Sequence, residues 1–268
     1  MRSHVKATFV AVICLSAWPL QAADGVLIIE KTTTGSKTQT SQVQIEKDRM
    51  RAETVGQAGE NQAVVFDAAK QVMLIINYDK KSYSEMTQAE ADQMGGQMSS
   101  AMAQMQEQMA NLPPAQRAQM EAMMRGRGMA AMGAAQALKT EYRKAGTDKI
   151  GKWTCDKYEG YRNDQKTSEM CTVSATALGF TSADFAVATQ AANFFRKLMP
   201  QNADGLFAIG TTEAQGFSGL PVRRVTFRNG QPQTITELTE ATRQTFAPST
   251  FDIPSGFKKE AFGGPGRP

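Results

Sequence analysis

The strongest constraint on the fold of this chain is a methionine-rich segment that carries almost no branched aliphatic side chains. Eleven of the sixteen methionines lie between Met86 and Met132, among Gln, Ala, Gly and Ser. Strands are enriched in β-branched and aromatic residues, so this composition favours helix and predicts a helical insertion at about residues 86–138. The insertion divides the rest of the chain into two strand-rich parts.

The methionines of the insertion follow a helical period. From Met94 to Met109 the intervals are four, four, three and four residues, which keeps the thioethers on one face of a helix. Methionine is flexible and polarizable, so this face is an adaptable apolar stripe. Pro113 and Pro114 split the insertion into two helical pieces. We expect the pieces to act as a ligand flap through Met94, Met98, Met102, Met105, Met109, Met120, Met123 and Met124.

Short β-rich runs separated by turn-forming residues occupy the chain on both sides of the insertion. Before it, strands are predicted at 26–34, 38–46, 50–55, 62–66 and 71–78. After it, they are predicted at 140–142, 153–162, 169–174, 222–227 and 234–242. A helix is predicted at 182–199, because Thr181 and Asp184 have the spacing of a capping box. Asn229 and Gly230, between two alternating runs, predict a hairpin turn.

This order of elements predicts an α+β fold. Short connections between neighbouring strands favour an antiparallel arrangement, so we expect a curved antiparallel sheet, an open half-barrel, with one packed helix and the Met-rich helical insertion. Residues 23–262 are expected to form one domain, and the Gly/Pro-rich residues 263–268 a disordered tail.

The N-terminus has the pattern of a cleaved secretory signal peptide over residues 1–22. Arg2 and Lys6 precede an apolar run over 7–18, and small residues follow at the cleavage site. The run is too short for a transmembrane helix, which predicts a periplasmic protein without a membrane span. Lipid attachment through Cys14 is the alternative, although Ile13 stands where a bacterial lipobox has Gly or Ala.

Removal of this signal changes which chemistry the mature chain can perform. His4 is the only histidine, so the mature chain has no imidazole for a catalytic triad or a His-ligated metal site. It retains Cys155 and Cys171, which we expect to form a disulfide in an oxidising compartment, a free-thiol function being the alternative. No catalytic motif is present, so we expect no enzymatic activity and no catalytic residues.

The charge of the chain also limits the class of partner. The formal net charge is +4, and it falls to +2 when Arg2 and Lys6 leave with the signal. The remaining Lys and Arg residues are scattered among acidic ones, without a basic stripe. Nucleic acid is therefore not an expected partner.

Six sequence motifs together resemble a family of exported bacterial proteins labelled as a domain of unknown function. They are KDRMRAE, QVMLIINYDKKSYSEM, GKWTCDKYEGY, SEMCTV, GLPVRR and FDIPSGFKK. The fold of that family resembles the half-barrel of the periplasmic lipoprotein carriers LolA and LolB. In those carriers the concave apolar face of the sheet accepts acyl chains, so the resemblance implies hydrophobic-ligand binding.

Three functions are compatible with the methionine stripe. The first is binding of a hydrophobic ligand, namely a lipid, an acyl chain or an exposed apolar protein segment, beneath the flap. The second is Cu(I) binding, because soft thioethers select Cu(I) and Met98, Met102 and Met105 have one-turn spacing. The third is a structural or interaction protein of the envelope that has no ligand. We expect no cofactor and assign no metal site, and the oligomeric state stays open.

Overall fold

The structure is a computed structural model and describes residues 23–55, 59–113, 116, 119, 140–198 and 216–262. The signal peptide predicted at 1–22 and the tail predicted at 263–268 lie outside the described residues. The predicted flap residues Met120, Met123 and Met124 also lie outside the described residues.

The first half of the described chain is a meander of six strands followed by a long helix. The strands are β1 (Ala23–Thr34), β2 (Lys37–Ile45), β3 (Arg49–Val55), β4 (Asn61–Asp67), β5 (Val72–Asn77) and β6 (Ser82–Thr87). Helix α1 (Gln88–Ala110) begins at the residue after β6. It ends three residues before Pro113, as expected from the steric restriction that a proline places on the residue preceding it.

The second half adds a further six strands and a shorter helix. They are β7 (Glu141–Ile150), β8 (Trp153–Arg162), β9 (Gln165–Val173), helix α2 (Ala186–Leu198), β10 (Leu220–Arg228), β11 (Gln231–Phe246) and β12 (Lys258–Glu260). Single 3₁₀ turns at Ala175–Leu178 and Ser182–Phe185 precede α2, and another at Pro248–Phe251 follows β11. Asn229 and Gly230 both have positive φ, 53° and 75°, as a tight hairpin turn requires.

All twelve strands belong to one open sheet. Its order is β12-β6-β5-β4-β3-β2-β1-β11-β10-β9-β8-β7. Every pairing is antiparallel except that of β12 with β6, which is parallel. Because β1 pairs with both β2 and β11, the two halves of the chain meet in the middle of the sheet.

The two faces of the sheet carry separate apolar clusters. We call the face on which α1 and α2 pack the inner face, and the opposite one the outer face. In β4, Val64 and Phe66 belong to the inner cluster and Ala63 and Val65 to the outer one, as strand alternation requires. The inner cluster is much the larger of the two, and it includes both helices.

Residues 247–257, which we call the strap, carry the chain across the outer face from β11 to β12. Phe251 packs in the outer cluster and lies edge-on to Phe246, with 5.9 Å between the ring centroids. Arg49 and Arg51 of β3 donate hydrogen bonds to the carbonyl oxygens of Pro248 and Thr250, at 3.4 and 3.2 Å. The strap is therefore fixed to the first half of the sheet.

The predicted α+β fold with a large open antiparallel sheet is confirmed, and several boundaries are corrected. The strand block before the insertion has a sixth strand, β6, so the helix begins at Gln88 and not at about residue 86. The strand predicted at 140–142 extends to Ile150, and β12 was not predicted. The helix predicted from 182 begins with a 3₁₀ turn and becomes α-helical at Ala186.

Candidate functional site: the inner face and its methionine-rich helix

The inner face is an apolar surface made by most strands of the sheet. Its buried strand residues are Val26, Ile28, Val43, Ile45, Met50, Ala52, Val64, Phe66, Met73, Met86, Cys155, Cys171, Val173, Leu220, Val222 and Leu238. Trp153, Ile150 and Leu178 pack against this cluster and remain partly exposed.

Helix α2 is firmly attached to the inner face. Its buried residues, together with those of the turn that precedes it, are Phe185, Val187, Ala188, Ala191, Ala192 and Phe194. The ring of Phe194 meets that of Phe66 edge-on, with 5.6 Å between the centroids. This amphipathic pattern confirms the predicted packed helix.

A charged contact fixes the start of this helical segment. Thr181 and Asp184 form the predicted capping box. Arg243 of β11 donates to both carboxylate oxygens of Asp184, at 3.1 and 2.9 Å. These two hydrogen bonds, helped by that of Thr181, hold the pKa of the Asp184 carboxyl below its ordinary value, so it is ionised at neutral pH.

Helix α1 begins with a second capping box. The Thr87 backbone N–H and hydroxyl donate to Glu90 at 2.8 Å, and the Glu90 N–H donates back to the Thr87 hydroxyl at 3.3 Å. The Thr87 backbone hydrogen bond, then that of its hydroxyl, lowers the pKa of Glu90. The Thr-x-x-Glu pattern in the sequence is the signal that marks this helix start.

The inner side of α1 can be identified from its described residues. Ala91 is fully buried, Gly95 and Met105 are partly buried, and Met94 is 36% exposed. The side chains of Met98, Met102 and Met109 lie outside the described residues, although their backbone belongs to α1. The structure thus confirms the helix at the predicted stripe and describes two of its methionine side chains.

Cys155 and Cys171 form a disulfide on the inner face, with 5.4 Å between their Cα atoms. They lie diagonally across β8 and β9, because Cys171 pairs in register with Lys157. The predicted pairing is confirmed. Neither sulfur is a free thiol, so neither acts as a nucleophile or as a thiolate metal ligand in this form.

Beyond the disulfide, the same face of β8 and β9 becomes charged. Lys166 lies 2.6 Å from Glu159 and 2.8 Å from Glu169, and Lys157 lies 3.3 Å from Glu169. The pKa of Glu159 is lowered by Lys166 and then by the hydroxyl of Tyr161, which donates to it at 2.6 Å. Sequence periodicity did not reveal this network, because the four charges come together only through the strand register.

A cleft of about 440 Å³ lies where β6 passes into α1. Its walls are the first turns of α1 and the residues from Lys259 to Phe262, and Met94 is on its border. Phe262 also packs against the inner cluster. Sequence reasoning missed this cleft, because its two walls are distant in the chain.

The described residues contain no cluster of potential metal ligands. Within them, no three His, Cys, Asp or Glu side chains are grouped to hold a metal ion. No helix in the described ranges is long and apolar enough to span a membrane. Helix α1 lies beside the large apolar cluster of the inner face, to which Ala91 belongs.

Solved structures resemble the chain distantly. An uncharacterised conserved protein from Thermus thermophilus has 8% identity and a TM-score of 0.45, covering 90% of this chain and 91% of its own. MucB in its complex with MucA from Pseudomonas aeruginosa has 9% identity and a TM-score of 0.36, and the match covers 86% of this chain and 56% of that one. A LolA superfamily protein from Nitrosomonas europaea has 7% identity and a TM-score of 0.27, covering 87% and 91%.

No curated protein matches the sequence significantly. A family model does match it: residues 85–257 fit the family described as Domain of unknown function (DUF4412). This range contains α1, both cysteines, α2 and the whole strap, and it confirms the resemblance predicted from the sequence motifs. Since the match extends over more than half of the chain, the protein belongs to the DUF4412 family.

Proposed function

We propose that this protein is a non-enzymatic periplasmic binding protein whose inner face takes a hydrophobic ligand under helix α1. The ligand is a lipid, an acyl chain or an exposed apolar protein segment. Export is supported by the signal-peptide pattern of residues 1–22. It is also supported by the disulfide, because such bonds persist in oxidising compartments.

The unequal attachment of the two helices carries this proposal. Helix α2 and the turn before it bury six apolar side chains in the inner cluster, including Phe185 and Phe194. Among the side chains of α1 that the structure describes, Ala91 alone is fully buried. Burial stabilises in proportion to apolar area, at about 25 cal/mol per Å². By the side chains that the structure describes, α1 therefore contributes less apolar burial to the inner cluster than α2 does.

The composition of α1 suits a movable cover. Gly95 and Gly96 lower its helix propensity, by up to about 1 kcal/mol each relative to Ala. The methionines of the stripe repack around apolar groups of different shape, since each has three rotatable bonds. A flap of this kind accommodates ligands without a rigid pocket.

Native mass spectrometry of the mature protein, purified from the periplasm, tests the proposal. A co-purified lipid or acyl chain would support it. A copper adduct under reducing conditions would favour the alternative Cu(I) site, in which thioethers at Met98, Met102 and Met105 act without histidine or cysteine. If neither adduct is found, the remaining function is a structural or interaction role that needs no ligand.

Two sets of variants separate these outcomes. Replacing Met94, Met98, Met102, Met105 and Met109 by Leu keeps the stripe apolar and removes the sulfurs, so hydrophobic binding should persist and copper binding should be lost. Replacing the same residues by Gln keeps helix propensity and removes both properties. Retained lipid binding in the Gln set would contradict the proposed flap.

A further inference from the structure

The cleft at the start of α1 leads from solvent to the inner cluster. Met86 forms part of its wall and is 1% exposed, while Met94 on its border is 36% exposed. Among the described residues, Val55 and Met94 are the only large apolar side chains that are exposed to this extent. A volume of about 440 Å³ is at the lower end for small-molecule sites, which span roughly 300 to 1,000 Å³.

The polar part of the cleft is mainly acidic. Three carboxylates, those of Glu85, Glu90 and Glu260, face one ammonium group, that of Lys259. Lys259 lies 3.1 Å from Glu85 and forms a salt bridge with it. Glu260 has no salt-bridge partner in the described ranges, and Glu90 is ionised in its capping box. Three carboxylates against one ammonium group give the cleft a net negative formal charge, although Thr87 and Lys259 partly compensate that of Glu90.

We propose that this cleft binds a cationic amphiphile, an alkyl or acyl chain whose headgroup carries an amine. The chain end lies against Met86, Met94 and Phe262, and the ammonium group faces Glu90 and Glu260. Charge complementarity favours this headgroup over a carboxylate or phosphate of the same chain length. This inference rests on the proposed hydrophobic-ligand function and names the class of ligand and the place where it enters.

Isothermal titration of the full-length protein with decylammonium and with decanoate, both below their micelle concentrations, tests the inference. The two probes share a chain length and differ in the sign of the headgroup. We expect decylammonium to bind about fivefold more tightly at low salt, with a preference that shrinks as salt screens the carboxylates. Equal affinities, or tighter binding of decanoate, would overturn the inference.

Single substitutions place the binding in the cleft. Glu260→Gln should weaken decylammonium binding by about two- to fivefold and leave decanoate binding no weaker. Glu107→Gln removes an exposed carboxylate from the far end of α1 and should change neither affinity. Met94→Gln should weaken binding of both probes. Val55→Thr, at the other exposed apolar residue, should weaken neither.

The same titrations separate failure of the cleft from failure of the wider function. Probe binding could be unchanged in Met94→Gln and in Glu260→Gln but lost when all five methionines from Met94 to Met109 are replaced by Gln. That result would refute the cleft and support the flap. If neither probe binds the wild-type protein, the cleft is refuted, whereas a lipid that co-purifies in native mass spectrometry would still support the hydrophobic-ligand function.

Discussion

Cys155 and Cys171 show at the scale of single residues how one bond stabilises the second half of the sheet. Their bond spans a sequence separation of 16 residues. We expect the Cys155→Ala, Cys171→Ala double variant to lose about 2 to 4 kcal/mol of unfolding free energy, because its unfolded chain is less restricted. Urea unfolding followed by circular dichroism measures this difference.

Reduction provides the control for the disulfide. Wild-type protein in dithiothreitol should unfold at nearly the same urea concentration as the double variant, and dithiothreitol should not change the variant itself. Oxidised wild-type protein that is no more stable than its reduced form would contradict the prediction.

The Asp184 carboxylate predicts that the free energy of unfolding depends on pH. Its pKa is lower in the folded chain than its ordinary value, through Arg243 and then Thr181. The carboxyl therefore contributes stability above its unfolded pKa of about 3.9, and loses it as the pH falls through the folded pKa. We expect Asp184→Asn to lower the unfolding free energy by about 0.5 to 1 kcal/mol at pH 7. Urea unfolding at pH 7, 5, 4 and 3 should show this deficit shrinking below about pH 4.

Asp164→Asn is the matched control for this pH series. The Asp164 side chain is 94% exposed, and its contact with Arg143 is long, at 3.9 Å. The control removes the same charge without a cap, so its stability should follow that of the wild type. A deficit of Asp184→Asn that stays constant from pH 7 to pH 3 would show that the carboxylate charge is not its cause.

The sequence predicted local contacts between residues more accurately than it predicted the exposure of side chains. The capping box of Thr181 was visible from its three-residue spacing. The pairing of Cys155 with Cys171 was predictable because the mature chain retains only these two cysteines. Periodicity identified one face of α1 but not that Met94 would be 36% exposed. Met94 lines a cleft whose other wall, with Lys259 and Phe262, comes from near the other end of the chain.

At the scale of elements, strands with a clear apolar pattern were predictable and polar edge strands were not. β5 is apolar from Val72 to Ile76, β8 places Trp153 and Cys155 on one face, and both strands were predicted to within a residue or two. β7 is an edge strand whose residues are all exposed or partly exposed, so its sequence shows no hydrophobic periodicity. β12 has three exposed residues and exists only because β6 offers its edge.

Gly96 offers a test of helix α1 as a weakly held element. A Cβ atom at this position would meet no atom within 4 Å, so alanine fits without a clash. We expect Gly96→Ala to stabilise the helix by up to about 1 kcal/mol, because alanine restricts the unfolded backbone and glycine does not. Hydrogen exchange followed by mass spectrometry should then show up to about fivefold slower exchange in α1.

The opposite substitution is the control for α1. Ser100 is exposed on the same helix, and Ser100→Gly should accelerate exchange there. In both variants the exchange of α2 should stay unchanged. If α1 already exchanges as slowly as α2 in the wild-type protein, it is not a weakly held cover.

At the scale of the whole molecule, the strap links the middle of the sheet to the start of α1. It leaves β11, crosses the outer face, and brings β12 to the edge of β6. Two residues beyond β12, Phe262 packs against the inner cluster. The outer face thus supports the wall of the cleft on the inner side, an arrangement that sequence periodicity cannot reveal because the contacts join distant parts of the chain.

Phe251→Ala tests this link. Phe251 is 3% exposed, and its loss should lower the unfolding free energy by about 3 to 5 kcal/mol, as for other buried phenylalanines. Because the strap carries β12, hydrogen exchange should accelerate in β6 and the first turns of α1 as well as in the strap. Phe194→Ala removes an equally buried ring from α2 and is the matched control, with its faster exchange centred on α2 and β4. Faster exchange confined to residues 247–257 in Phe251→Ala would show that the strap does not support the start of α1.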